Sequence, residues 1–135
     1  MVALDDLPPV MREHVGYLTI RLARRAQSAF ENAIAPLALR PALFDTLATV
    51  AHLSSPSQLE VAATLGVDPA RLVGVCDELE SAGWLRRTRD PADRRRSALT
   101  LTAAGRRLLT RAEKKAAEVE ADLLAGLAAA DHVRM

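Results

Sequence analysis

A mainly α chain carrying a small two- to three-stranded β wing is predicted by three observations. Alanine and leucine supply most of an apolar share of 50%, while aromatics reach only 3%, a balance that favours helices. Residues 57–102 read as two short helices meeting at a tight turn, then two strands joined by an arginine-rich loop. Apolar residues at three- and four-residue steps flank that stretch on both sides, the mark of amphipathic helices. Together these describe a winged helix-turn-helix, with N- and C-terminal helices left over to form a dimerisation lobe.

At 135 residues the chain has the length of one domain. A domain this size buries roughly 68% of the surface its unfolded chain exposes, so it needs no disulfide or metal staple. One cysteine, Cys76, excludes an intrachain disulfide framework and fits a reducing cytosol. The opening MVALDDLPPV has acids where a signal peptide carries bases, and no apolar run approaches the roughly 18 residues of a membrane span. A cytoplasmic protein with no membrane partner is expected.

The first segment, residues 1–35, reads as an arm with Pro8-Pro9 followed by a dimerisation helix from Met11 to Ala35. Its stripe is Val15, Leu18, Leu22, Ala26, Ala29 and Ala33, and Pro36 marks its end or a sharp bend. The second segment, residues 36–102, opens with a helix at Arg40-Pro41 whose apolar face is Leu43, Phe44, Leu47, Val50 and Ala51. After the turn SSPS, Ser57 and Glu60 make a capping box. That helix buries Leu59, Ala62, Ala63 and Leu65 and stops at Gly66, which takes a left-handed conformation easily. Asp68 caps the next helix and Pro69 occupies its first turn. This recognition helix spans 69–82 and turns Leu72, Val75, Cys76 and Leu79 inward. A hairpin over 84–101 follows, with strands Trp84–Thr88 and Ala98–Leu101. The third segment, residues 103–135, is a long helix capped by Thr102, striped by Leu108, Ala112, Ala116, Val119, Leu123 and Leu127. A helix of that length projects past a compact domain and suits pairing with a second copy.

The net charge is only +1, but between Trp84 and Arg111 nine arginines face two aspartates, a local charge of +7. Segregated charge is the footprint that matters for nucleic acid. In a helix-turn-helix the second helix enters the major groove, and its outward N-terminal residues meet base edges. Here those positions are Pro69, Ala70, Arg71, Val73 and Gly74. Arg71, the one long donor among them, either reads a guanine through two hydrogen bonds or contacts phosphate. In the wing, Arg89, Arg94, Arg95 and Arg96 suit a narrow minor groove, where the potential is most negative. Asp93 suits bracing a neighbouring arginine.

The core LEVAATLGVDPARLVGVCDELESAGWL and the wing RDPADRRRSALTLTAAG resemble the MarR family (multiple antibiotic resistance regulators), winged helix-turn-helix transcription factors of bacteria, over about residues 11–127. The resemblance implies a homodimer on a pseudo-palindromic operator in double-stranded DNA. It also implies that Arg95, in the D-x-R step with Asp93, inserts into the minor groove. Members commonly act as repressors, and small phenolic or other anionic ligands, or oxidants, release many of them. Two departures stand out. Asp68-Pro69-Ala70-Arg71 replaces the serines and threonines common at the start of the recognition helix, so operator sequence does not carry over. The family's final helix would begin at about AAADHVRM, where this sequence stops, so a trimmed dimer interface, weaker dimerisation or a different arrangement of the two lobes is expected.

Other classes find little footing. No GxSxG, phosphate-binding glycine loop or paired carboxylates suggest an enzyme, and no cofactor is implied. His14, His52 and His132 lie far apart, without metal-ligand spacing. Cys76 falls on an inward helical face, where a thiol acts as a small apolar group. His14 and Tyr17 are candidates for lining a ligand crevice. Two alternatives stay open: a winged-helix protein-interaction module, and a small-molecule sensor without operator binding.

Overall fold

In a computed structural model the described residues are 6–89, 92 and 97–133, with side chains described to residue 126. Their order is α1 (Pro9–Arg12), α2 (Val15–Ile34), a 3₁₀ turn (Ala35–Leu37), α3 (Pro41–Leu53), α4 (Gln58–Leu65), α5 (Pro69–Ser81), β1 (Leu85–Arg89), β2 (Ser97–Leu101) and α6 (Ala103–Val133). Helices dominate and the two strands pair antiparallel, Leu85 opposite Leu101 through Arg89 opposite Ser97. The wing gains a third strand only as a single bridge, Ser57 to Ala98, with the Leu99 amide donating to Pro56 O at 2.8 Å. The mainly α winged-helix architecture expected from the sequence is therefore what the chain forms.

One apolar core joins every major element. Ile34 from the end of α2, Leu43, Leu47 and Val50 from α3, and Val61 from α4 meet Leu72, Cys76 and Leu79 from α5. Leu85 and Leu99 of the hairpin and Leu108 and Ala112 of α6 close it. Phe30 and Phe44 pack edge to face at 5.1 Å, tying α2 to α3. Thr46 and Thr49 are buried in this core, and each hydroxyl donates to the carbonyl four residues back, Ala42 O and Asp45 O. No buried polar side-chain atom among the described residues lacks a partner, as a well-formed core requires.

Three local expectations need correction. The helix expected from Met11 to Ala35 is broken: α1 is a single turn, His14 is extended, and α2 begins at Val15. β-Branched Val15 and Gly16 are weak helix formers, and His14 makes no side-chain cap. At the far end Pro36 sits within a 3₁₀ turn that closes at Ala38 in a left-handed conformation, φ 60°. In α3, Ala51 faces solvent. In α4, Leu59 is 68% exposed while Val61 is fully buried, and Ala63 is exposed. The inward row is Val61 and Ala62, with Leu65 partly buried against the core, because the helix is fixed at its start by Ser57 and at its end by Gly66.

The cap at Ser57 is the reciprocal box expected: Glu60 N donates to Ser57 Oγ at 3.2 Å and Ser57 N donates to Glu60 Oε2 at 2.9 Å. Gly66 ends α4 at φ 66°. Asp68 Oδ1 accepts from Ala70 N at 3.0 Å. Each strand lies within one residue of its expected bounds. Helix α6 runs for 31 residues, about 46 Å at 1.5 Å per residue. Among the described residues no single helix is long and apolar enough to cross a membrane; α2 and α3 pass that test only as a pair bent by 80°.

Candidate nucleic-acid interface

Helix α5 divides cleanly into two faces. Leu72, Val75, Cys76 and Leu79 are buried, whereas Pro69, Ala70, Arg71, Val73 and Gly74 are exposed. The five residues expected to meet DNA thus share one solvent face at the start of the helix. Three features hold that start in place: the Asp68 cap, Pro69 in the first turn, and the Val67 amide donating to Ala62 O at 3.0 Å. Among the described residues nothing lies within 4 Å of a β-carbon built on Gly74, which leaves room for close approach of a flat surface there. The amides of a helix N-terminus, with the dipole behind them, favour an anion such as phosphate.

The wing strand β1 runs beside α5 and ends in exposed Arg89. Arg86 also faces solvent, on the opposite side of the strand from Leu85 and Arg87, as the two-residue period of a strand dictates. Asp93, Arg94, Arg95 and Arg96 lie outside the described residues. Arg106, Arg107 and Arg111 are exposed on the first turns of α6.

The junction between wing and last helix is closed by a small network. Thr102 Oγ1 donates to Gly83 O at 2.6 Å and accepts from Gly105 N at 3.0 Å, and Thr102 N donates to Trp84 O at 3.1 Å. Gly83 turns the chain at φ 81°. A β-carbon on Gly105 would lie 2.9 Å from the Trp84 carbonyl carbon and closer still to its oxygen. Glycine is therefore required there by contact rather than by its own backbone angles.

A cavity of about 220 Å³ opens on the other side of α5, lined by Ala42, Asp45, Thr46, Leu65, Val67, Arg71, Leu72 and Val75. Arg71 borders both this cavity and the exposed face, which the sequence did not reveal. Partial burial pushes the Asp45 carboxyl above the ordinary carboxylate range, although the residue as a whole still reaches solvent. His14 is exposed, Tyr17 is half-buried on α2, and neither lines the cavity. Cys76 is fully buried. Burial pushes its thiol up, more than the neighbouring Arg87 charge lowers it, which leaves little reactive thiolate. No three His, Cys, Asp or Glu side chains among the described residues form a metal-binding group.

Comparison with known proteins assigns this architecture. The MarR family model matches residues 39–97. A MarR-family transcriptional regulator from Rhodococcus sp. RHA1 is 31% identical, with 89% of this chain and 86% of that one covered at a TM-score of 0.75. The chain belongs to the MarR family. The transcriptional repressor CouR, solved on a 23-mer DNA duplex, is 36% identical to this MarR-family chain; 95% of this chain and 91% of that one are covered, TM-score 0.80. A CouR from Rhodococcus jostii RHA1, solved with p-coumaroyl-CoA, matches at 31% identity and TM-score 0.75 over 99% and 91% of the two chains. The transcriptional repressor NicR of Pseudomonas putida is 29% identical over 106 residues, 78% of this chain and 67% of NicR.

Proposed function

We propose that this MarR-family chain is a homodimeric transcriptional repressor that binds a pseudo-palindromic operator in double-stranded DNA and is released by a small ligand. The observation that carries this reading is the exposed face of α5, from Pro69 to Gly74, set beside a wing strand ending in arginine. A repressor 36% identical over nearly its whole length has been solved on a DNA duplex. The protein acts in the cytoplasm, uses no cofactor, and is not an enzyme. Residues 36–102 form the DNA-binding region, and the helices on either side form the dimerisation lobe. Val15, Ile20, Leu22 and Leu124 are exposed apolar residues on α2 and α6, surface that a second copy would cover.

Arg89, Arg94, Arg95 and Arg96 supply the wing contacts, with Arg95 in the minor groove and Asp93 orienting it. Pro69, Ala70, Arg71, Val73 and Gly74 supply the major-groove face. The ligand is a small phenolic or other anionic molecule, and His14 and Tyr17 line its crevice between the lobes. Support for ligand control comes from CouR, solved with p-coumaroyl-CoA.

Titration of random and selected duplexes across a salt series tests the proposal. If each dimer neutralises about ten phosphates, log K falls with log salt at a slope near −9. A protein that ignores every duplex at low ionic strength is not a repressor. Arg71→Ala is expected to relax preference at one base position per half-site, worth roughly 1–3 kcal/mol there. Equal weakening on all sequences would make Arg71 a phosphate contact instead.

A further inference from the structure

Arg87 has the same residue type as the wing arginines but a different environment. It lies on the inward face of β1, two residues from buried Leu85, and its side chain is only 22% exposed. Each nitrogen of its guanidinium bonds to a helix. Nε donates to Gln58 Oε1 of α4 at 2.7 Å, Nη1 to Asp77 Oδ1 of α5 at 2.6 Å, and Nη2 to Val73 O of α5 at 3.3 Å. Glu80 Oε1 lies 3.6 Å from Nη1, and Glu80 Oε2 accepts from the Arg87 backbone amide at 3.2 Å.

One side chain on the wing therefore grips both helices of the helix-turn-helix, with two carboxylates to balance its charge. With each of its three nitrogens bonded to a helix and its side chain only 22% exposed, this guanidinium is turned inward rather than out toward phosphate. Its bond to Val73 O lands on the residue whose side chain belongs to the exposed face of α5. We propose that Arg87 is a positioning residue that locks the recognition helix to the wing, so that groove-reading and wing contacts engage DNA as one rigid unit. The inference rests on the DNA-binding reading. Gln58 and Asp77 are its partners in that lock, and Arg87 drops out of the count of arginines facing DNA.

Only the guanidinium's planar fork reaches three acceptors on two helices at once; a lysine ammonium on Asp77 leaves the others unmet. Burial alone would lower the Arg87 pKa, but the Asp77 hydrogen bond and charge, with Glu80, more than reverse this and hold it charged.

The test uses the full-length protein and a duplex chosen by selection with the unsubstituted chain. That chain is scored first: if it binds no duplex, the DNA reading fails, whatever Arg87 does. Given binding, Arg87→Lys is expected to weaken it roughly tenfold, the scale of coupling within one ion-pair network, with the salt slope unchanged. Asp77→Asn is expected to weaken binding similarly, although it removes a negative charge near DNA and general electrostatics would tighten it. Their double variant is expected to be no weaker than the worse single. The idea is overturned if Asp77→Asn tightens binding or Arg87→Lys binds as well as the parent. It is equally overturned if the losses add. Asp77 is 61% exposed, so its asparagine variant decides the matter should Arg87→Lys fail to fold.

Discussion

Gly105→Ala is expected to destabilise the protein by about 3 kcal/mol, against the ordinary sign of a glycine-to-alanine change in a helix. Inside a helix, alanine normally gains about 1 kcal/mol over glycine. At Gly105 the added carbon would run into the carbonyl of Trp84. That obstacle is backbone, so no side-chain rotation relieves it. The chain must shift where the wing hands over to α6, and overpacking of this kind costs roughly 1–3 kcal/mol or more. The shift would also disturb the Thr102 network, which bonds to Gly83 O, Trp84 O and Gly105 N.

Gly126 on the same helix supplies the control, since nothing lies within 4 Å of a β-carbon there. Gly126→Ala is expected to raise stability by up to about 1 kcal/mol. Thermal melts at matched protein concentration compare the two, and concentration must be fixed because dimerisation adds to apparent stability. Equal, small effects at both positions would show that the close approach at Gly105 is not what holds the junction.

Much of the DNA-facing half was legible because its signals are local. Ser57 with Glu60, Gly66, and Asp68 with Pro69 act through neighbouring backbone groups, and all formed as their chemistry requires. The inward face of α5 was readable from Leu72, Val75, Cys76 and Leu79, whose spacing allows only one buried stripe. Helix α4 was harder. Its eight residues place apolar side chains at Leu59, Val61, Ala62, Ala63 and Leu65, enough for two rival stripes, and tertiary contact with α3 selects between them. The long helices were legible as amphipathic, but the break at His14 was not, since Met11-Arg12-Glu13-His14 contains no helix-breaking residue.

Arg87 was hidden for a different reason. Counted with eight other arginines, it reads as surface charge. Yet Leu85-x-Arg87 places it on the core face of β1, while Asp77 and Glu80, three apart on α5, offer acids to meet it. Strand alternation and helix spacing, taken together, would have found it. Arg71 shows the same limit from the other side: its place at the start of α5 was readable, but its position on a cavity wall depends on how α3 packs.

The second large effect concerns the partner copy. Leu22→Glu is expected to convert the dimer to monomer and to weaken operator binding by roughly 10²–10⁴. Leu22 lies on the α2 stripe with Val15, Leu18, Ala26, Ala29 and Ala33, yet remains 41% exposed within one chain, and Val15 is 78% exposed. An isolated glutamate there still reaches water in the monomer, so the fold should survive. In the dimer the same carboxylate would be buried against apolar surface without a partner, which costs several kcal/mol. DNA affinity follows because the second half-site is engaged intramolecularly once the first is bound, an advantage of about 10²–10⁴ that a monomer lacks. Sedimentation at micromolar concentration and operator titration on the same samples measure both effects. A Leu22→Glu protein that stays dimeric would place the twofold contact on another face of the molecule. One that becomes monomeric yet binds the operator undiminished would show that each α5 and wing suffices alone.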